Sequence, residues 1–264
     1  MIKKAIVWLA FAALGICLAT AVQAAEIVRG EGRYISNTLT HLMPFTSVDV
    51  RADAQVEIWQ KDNPSVSVSG KSNLVELADI RVEDSTLVID FKRPVHIKGK
   101  HALHVTVGIP QVQSITARNK GRVRVRGPFE TSQTTISAGD EAYITGDWFK
   151  ADWVRAQATH KAEIDLEHLQ VKKLEAALFD KAEMEFSGFA EEAQLINNGS
   201  KEIDAADLRV NQAHVQINSA GEVEIFAVQT LKAEALGKGD IIYHGQPVLM
   251  RSGNVKKIQP AFEN

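Results

Sequence analysis

The sequence contains one cysteine, Cys17, which lies in an apolar N-terminal stretch. Two lysines precede an apolar run over residues 5–21, and small residues follow at Val22-Gln23-Ala24. This order is typical of a secretory signal peptide, here cleaved after Ala24. Because the bulky Ile16 precedes Cys17, we expect simple cleavage and no lipid anchor. Removal of residues 1–24 leaves no cysteine, which excludes disulfides and a cysteine nucleophile from residues 25–264.

A second long apolar run is also absent, so the sequence predicts no membrane span after residue 24. The first 24 residues hold two of the 30 basic residues and none of the 33 acidic ones, so residues 25–264 carry a net charge of −5. A negative net charge argues against general nucleic-acid binding. Without a Pro- or Ser-rich linker, residues 25–264 are predicted to form one domain.

Catalytic motifs are absent as well: the sequence has no Gly-x-Ser-x-Gly, no His-Glu-x-x-His and no Asp-rich calcium loop. We therefore predict a protein that is not an enzyme. The alternative is a polysaccharide-active enzyme that uses surface carboxylates on a β-solenoid, because carboxylates are abundant in the chain. No catalytic residues and no cofactor are predicted.

Short runs with alternating polar and apolar residues predict β-strands over residues 45–110, with a turn at Asp84-Ser85. They belong to an N-terminal β region that we place at residues 25–110. From residue 111 to residue 264 the alternation becomes a repeat. We place its apolar anchors at Val123, Ala142, Ile164, Met184, Ile203, Val223 and Ile241, which are 19, 22, 20, 19, 20 and 18 residues apart. A period near 20 residues predicts an all-β solenoid of stacked rungs after a less regular N-terminal β region.

Two acidic columns follow from this register, because the residues beside each inward anchor point outward. They comprise Glu163, Asp165, Glu183, Glu185, Glu202, Asp204, Glu222 and Glu224. One interpretation is a solvated surface, partly neutralised by Lys120, Lys161, Lys181 and Lys238, with Glu141 and Asp240 extending the first column. The other is a binding face for Ca²⁺ or for a basic partner, since oxygen ligands suit a hard cation.

The residues also resemble a known family, the putative auto-transporter adhesin, head GIN domain family. The resemblance rests on the order of Phe45-Thr46-Ser47-Val48-Asp49-Val50, Val82-Glu83-Asp84-Ser85-Thr86-Leu87-Val88-Ile89, Val107-Gly108-Ile109-Pro110 and Tyr243-His244-Gly245-Gln246-Pro247-Val248. It covers roughly residues 40–257, and it implies a right-handed parallel β-helix in an exported bacterial protein. The turns depart from the family pattern, because His160-Lys161 and Asp180-Lys181 stand where Ser-Gly runs are usual.

Aromatic residues are few, and three of them, Trp148, Phe149 and Trp153, fall within the longest interval of the repeat. We predict a protruding loop there. Its aromatic side chains either cover the end of a sheet or contact a partner.

A basic and histidine-rich stretch contains His96, His101 and His104. It is predicted either to bind a metal or a polyanion, or to form a hairpin with its tip at Lys98-Gly99-Lys100, whose charges protect an exposed strand edge.

These observations predict a non-catalytic binding or structural module of the bacterial cell envelope that resembles an adhesin. The periplasm is the expected compartment, with the cell surface and the medium as alternatives. The partner alternatives are an envelope glycan, an envelope protein and a second copy of the chain. Neither the ligand nor the oligomeric state follows from the sequence.

Overall fold

The computed structural model describes residues 25–40, 42–99 and 102–261. The predicted signal peptide with Cys17, and also Lys100 and His101, lie outside these residues. The N-terminal part contains β1 Glu26–Val28, β2 Tyr34–Leu39, β3 Ser47–Val50, β4 Ala54–Gln60, β5 Ser65–Lys71, helix α1 Ser72–Leu77, β6 Ala78–Glu83, β7 Thr86–Phe91, β8 Val95–Ile97 and β9 Leu103–Ile109. The rest contains β10 Ser114–Ala117, β11 Arg122–Arg126, β12 Phe129–Ala138, β13 Tyr143–Gly146, β14 Phe149–Ala158, β15 Glu163–Asp180, β16 Glu183–Gly199, β17 Glu202–Ile217, β18 Glu222–Ala235, β19 Ile241–His244, β20 Val248–Gly253, a 3₁₀ helix Val255–Lys257 and β21 Ile258–Pro260.

The strands of successive turns pair in parallel and build a β-solenoid of about seven turns. The predicted all-β solenoid is thereby confirmed. Each long strand from β15 to β18 runs along more than one face, because its register shifts at a bend, as between Leu166 and Leu169. A single turn cannot bury its own apolar residues, so the neighbouring turns above and below supply the core.

The core consists of columns of inward side chains, one from each turn. One column contains Val123, Ile144, Ile164, Met184, Ile203, Val223 and Ile241, all almost completely buried. The predicted anchor Ala142 was wrong by two residues, because Val123 pairs with Ile144. Ala142 is itself buried, in the corner turn, and alternation alone does not distinguish two inward residues that are two positions apart. With Ile144 as anchor the 22-residue interval disappears.

Parallel stacking begins before residue 111. The strands β3 and β4 pair with β10 and β11 on one side and with β7 and β9 on the other. The chain therefore fills the first turns out of sequence order. The antiparallel strands β2, β5 and β6 close this end, and the predicted turn at Asp84-Ser85 joins β6 to β7 with both residues at positive φ. Positive φ at both central residues is the pattern of a type I′ hairpin.

The C-terminal end of the solenoid differs from the other turns in composition. Strands β19 and β20 form the last complete turn, and β21 stacks on β19. Arg251 occupies the inward register position beside the buried Ala233, but it is exposed. Pro260 lies in the edge strand β21. Inward charges and edge prolines are two devices that keep a sheet edge from pairing with another strand.

None of the helices in residues 25–40, 42–99 and 102–261 is long and apolar enough to cross a membrane.

Candidate functional site

The predicted acidic columns lie side by side on one face of the solenoid, and we call these eight residues the acidic ladder. Glu163 pairs with Glu183, and Glu202 pairs with Glu222. The second column runs without a gap through Asp165, Glu185, Asp204 and Glu224. Neighbouring strands lie about 4.8 Å apart, so these carboxylates stack at close range over four turns.

The upper end of the acidic ladder differs from the prediction because of the shift at Ala142. Tyr143, not Glu141, lies above Glu163, and Arg122 lies above Tyr143. Glu141 sits in the corner instead, where its carboxylate is 3.7 Å from Lys120 Nζ and 3.8 Å from Lys161 Nζ. Among the described residues, none of the four lysines predicted to neutralise the columns makes an ion pair with the ladder, and two of them pair with Glu141 instead.

Few cations compensate the acidic ladder. Within the part of the chain that the structure describes, it makes two ion pairs: Lys201 Nζ lies 2.6 Å from Glu183 Oε1, and His244 Nε2 lies 2.6 Å from Glu224 Oε1. The second pair is charged only when His244 is protonated. The other six carboxylates have no cation within 4 Å among the described residues, so the ladder keeps a surplus of negative charge.

Four ladder carboxyls have raised pKa values, for which burial is the largest cause and repulsion by nearby carboxylates the next. Burial raises the pKa of Glu163, Asp165, Glu185 and Glu222, and neighbouring carboxylates raise it further. For Glu185 these neighbours are Asp165 and Asp204, directly above and below it in the column. Burial and the same carboxylates also raise the pKa of the Tyr143 hydroxyl. The ladder thus destabilises the fold at neutral pH, where it is ionised.

The spacing of the ladder carboxylates differs from that of a calcium site. Calcium needs six to eight oxygen ligands at 2.3–2.6 Å around one point. Across the described residues, no group of three or more His, Cys, Asp or Glu side chains comes close enough together to hold a metal ion. The columns instead present their carboxylates one after another along a flat face, as a row of separate charges.

Phe149 does not form part of a protruding loop; it begins strand β14 and is fully buried. Its ring packs 6.1 Å from the ring of Phe129 on the preceding turn. Trp148 is half-buried, and Trp153 lies half-buried between Arg155 and Lys173, with the Arg155 guanidinium 4.6 Å from the ring centre. The predicted loop was wrong because it depended on the misplaced anchor. Phe149 is a core residue, and of the three only the tryptophans reach the surface.

The predicted hairpin in the histidine-rich stretch is also wrong. The strand β8, which carries His96, pairs in parallel with β1 in a separate two-stranded sheet. The strand β9, which carries His104, has both edges occupied, by β4 and β5, and so has no free edge for β8. His96 and His104 therefore lie in different sheets.

A groove of about 670 Å³, which no local sequence pattern predicts, adjoins the upper end of the acidic ladder. Its floor includes Arg122, Arg124 and Arg126, which alternate with buried valines along β11. Arg124 and Arg126 pair with Asp147, at 3.2 and 3.5 Å, and Arg126 pairs with Glu57 at 2.7 Å. The alternation of Arg and Val was the available signal for an outward row of cations, but the wall formed by β2 and β5 was not visible from it.

Comparison with known families gives a match over residues 44–247 to the family described as "putative auto-transporter adhesin, head GIN domain". The chain belongs to this family. The matched region begins just before β3 and ends just after β19, so it contains the acidic ladder, most of the groove and nearly all of the solenoid. The groove residue Tyr34, on β2, precedes it. A search of curated proteins finds no match.

Solved structures support the head GIN domain fold. A putative lipid binding protein from Parabacteroides distasonis superimposes with a TM-score of 0.81 at 21% identity, over 90% of this chain and 100% of the other. A putative adhesin from the same organism superimposes with a TM-score of 0.80 at 21% identity, over 89% of this chain and 100% of the other. A putative adhesin from Parabacteroides merdae superimposes with a TM-score of 0.78 at 19% identity, over 90% of this chain and 100% of the other. At these identities the likeness establishes the fold.

The repulsion within the acidic ladder of this head GIN domain protein gives a testable prediction about stability and pH. Because the folded-state pKa of Glu185 is raised, the folded chain binds its proton more tightly than the unfolded chain, and stability falls as pH rises through that range. We expect Glu185→Gln to raise the melting temperature at pH 7 by about 1–2 °C, which corresponds to about 0.5 kcal/mol. The gain should vanish near pH 4 and shrink in 1 M salt.

Glu175→Gln is the matched control with the opposite sign. Lys173 and Arg155 lower the pKa of Glu175, with Lys173 Nζ at 2.6 Å and Arg155 Nη2 at 2.9 Å from its carboxylate oxygens. This carboxylate stabilises the fold at neutral pH, and the contribution is lost as pH falls through its depressed pKa. Glu175→Gln should therefore lower the melting temperature at pH 7. Thermal melts in which both variants shift in the same direction at pH 7 would contradict the assignment of repulsion to the ladder.

Proposed function

We propose that this protein is an exported, non-catalytic binding module of the bacterial cell envelope, and that it acts as an adhesin-like protein through the acidic ladder. The partner is an envelope protein that presents a basic surface. Membership of a family described as an auto-transporter adhesin supports a binding role. The N-terminal sequence pattern supports export, with the periplasm as the first compartment reached.

The observation that carries the proposal is the surplus of negative charge along the ladder. Four of its carboxyls have raised pKa values, so the array opposes folding, and six have no cation within 4 Å among the described residues. A basic partner would neutralise these charges on contact, which turns a cost in the free protein into a gain in the complex. Complementary charges also accelerate encounter and exclude partners of the wrong sign.

The test uses a variant in which three ladder residues, Glu163, Glu185 and Glu222, are replaced by Gln. The matched control replaces Glu130, Glu191 and Glu192 by Gln, three exposed acids outside the ladder. Poly-L-lysine serves as the basic probe, and isolated bacterial envelopes serve as the natural surface. At physiological salt we expect the ladder variant to bind poly-L-lysine about tenfold more weakly, since three exposed charge pairs contribute about 0.5 kcal/mol each. Retention on envelopes should fall in parallel.

Equal losses in the two variants would show that net charge, and not the ladder, determines binding. Unchanged retention of the ladder variant on envelopes would show that another face makes the contact. A calorimetric titration with millimolar Ca²⁺ tests whether the ladder binds the metal instead of a basic partner. Heat of Ca²⁺ binding that is present in the original protein and absent in the ladder variant would assign the ladder to Ca²⁺. Release of reducing ends from envelope polysaccharides would contradict the non-catalytic assignment.

A further inference from the structure

A second charged feature lies at the N-terminal end of the solenoid, in a cleft of about 470 Å³ beside the two-stranded sheet of β1 and β8. Ala25 and three longer segments line it: residues 51–53, residues 90–96 and the corner turn at residues 118–120. Basic side chains outnumber the two lining carboxylates, Asp53 and Asp90. The basic residues are Arg51, Lys92, Arg93, His96, Arg118 and Lys120. We call this site the basic cleft.

A buried carboxylate holds two of these arginines in place. Asp49 is 6% exposed, and its Oδ2 accepts a hydrogen bond from Arg51 Nε at 2.8 Å and lies 3.6 Å from an Arg118 terminal nitrogen. Arg51 uses only its Nε in this contact, and both of its terminal nitrogens lack a hydrogen-bond partner among the described residues. Because the guanidiniums are already oriented, less conformational entropy is lost when they bind a ligand.

Three of the remaining cations have partners that lie outside the lining of the cleft. Arg93 pairs with Glu26, which lies outside the lining of the cleft. Lys120 shares the carboxylate of Glu141 with Lys161 at 3.7–3.8 Å, and Lys92 donates to the carbonyl oxygen of Glu76 at 2.6 Å. Burial raises the pKa of Asp53, while Lys120 and His96 act in the opposite direction.

We propose that the basic cleft binds the phosphate group of an anionic ligand. Basic groups from three chain segments converge on the cleft, and an anion bound there would contact several of them at once. Guanidinium groups match the geometry of phosphate oxygens, and lysine adds a point charge that is not restricted in direction. A phosphate monoester, which can carry two negative charges, also gains more from several cations than a single carboxylate does. A phosphodiester carries one negative charge but still offers two unesterified oxygens to the guanidinium groups.

The basic cleft is independent of the function proposed for the acidic ladder. The cleft lies at a corner of the first turns, whereas the ladder begins at Glu163, two turns after Lys120. The cleft is lined mainly by basic residues and the ladder consists of acidic ones. A failure of either site in its own test therefore leaves the other untouched. The ligand source is either a phospholipid headgroup or a soluble phosphorylated molecule, and both share the chemistry of the phosphate group.

The experiment compares Lys120→Gln with Lys161→Gln. Both lysines are exposed, both follow the central residue of a corner turn, and both lie near Glu141, but only Lys120 lines the cleft. Calorimetry with inorganic phosphate at constant ionic strength measures the affinity. We expect Lys120→Gln to weaken binding about fivefold and Lys161→Gln to change it less than about twofold. Arg118→Gln, checked for folding by thermal melting, should weaken it at least as much as Lys120→Gln.

Vesicles of phosphatidylcholine with and without phosphatidylglycerol then identify the source. Binding to the phosphatidylglycerol vesicles that falls in the same variants assigns a lipid headgroup, whereas phosphate binding without vesicle binding assigns a soluble ligand. If Lys120→Gln and Lys161→Gln weakened phosphate binding equally, general surface charge would account for the binding, and the proposal would be overturned. The absence of any heat with phosphate, together with no vesicle binding by the folded protein, would also overturn it.

Discussion

Replacement of Ile203 by Asp is expected to unfold the protein at temperatures at which the unmodified chain is folded. Ile203 is 0% exposed and stacks between Met184 and Val223 in the core column. A carboxylate at this position would be surrounded by apolar side chains, without a hydrogen-bond partner, and would interrupt the packing of three consecutive turns. The expected loss is about 4–5 kcal/mol, at the upper end for single substitutions. Thermal and urea unfolding followed by circular dichroism measure it.

Glu202→Lys provides the control, one residue away on the same strand. Glu202 is exposed and pairs in the ladder with Glu222, so a lysine there would relieve repulsion. We expect its stability to remain within about 0.5 kcal/mol of the original or to rise slightly. If the two variants lost the same stability, the assignment of inward and outward positions on β17 would be incorrect.

Gly221→Ala is expected to cause the second-largest loss, about 3 kcal/mol, although it adds a single methyl group. Gly221 is buried in a corner turn, where a methyl group would overlap the carbonyl oxygen of Lys201 and lie 2.7 Å from Asn197 Nδ2. That amide is itself buried and donates to the carbonyls of Lys201 and Glu222 at 2.8 and 2.9 Å. The backbone atoms cannot move without breaking these bonds. Urea unfolding measures the change.

The matched control is Gly139→Ala, in the same corner of an earlier turn. A methyl group on Gly139 would meet only Thr159 Oγ1 at 3.5 Å, an ordinary contact. Alanine also restricts the unfolded chain, so the variant should be neutral or more stable by about 0.4–1 kcal/mol. A loss at Gly139 as large as that at Gly221 would show that glycine is required at this corner for its conformation and not for close approach.

The period of the repeat and the acidic ladder could be predicted because both depend on local alternation. Where a strand contains one apolar residue between two charged ones, as at Glu183-Met184-Glu185, the inward position is unambiguous. The prediction of Ala142 as an anchor was wrong for the opposite reason. Two apolar residues, Ala142 and Ile144, satisfy the same alternation, and only the pairing with Val123 decides between them.

The features that could not be predicted depend on contacts between segments that are distant in sequence. The order of the first turns, with β7 and β9 outside β3 and β4, is not encoded in any local pattern. The same is true of β8, which pairs with β1 about 70 residues earlier instead of with its neighbour β9. Both the groove and the basic cleft form between such segments, so the sequence showed their charged residues without showing that they meet.

The two unlike ends of the solenoid determine how this fold can change in length during evolution. Antiparallel strands close the first turn, while an inward arginine and an edge proline mark the last one, so a duplication at either end would bury a cap inside the stack. Whole turns can be inserted or deleted only in the uniform interior, between β13 and β18. Each inserted turn of the ladder type would add one carboxylate to each column. The negative charge of this face would therefore increase with the number of turns.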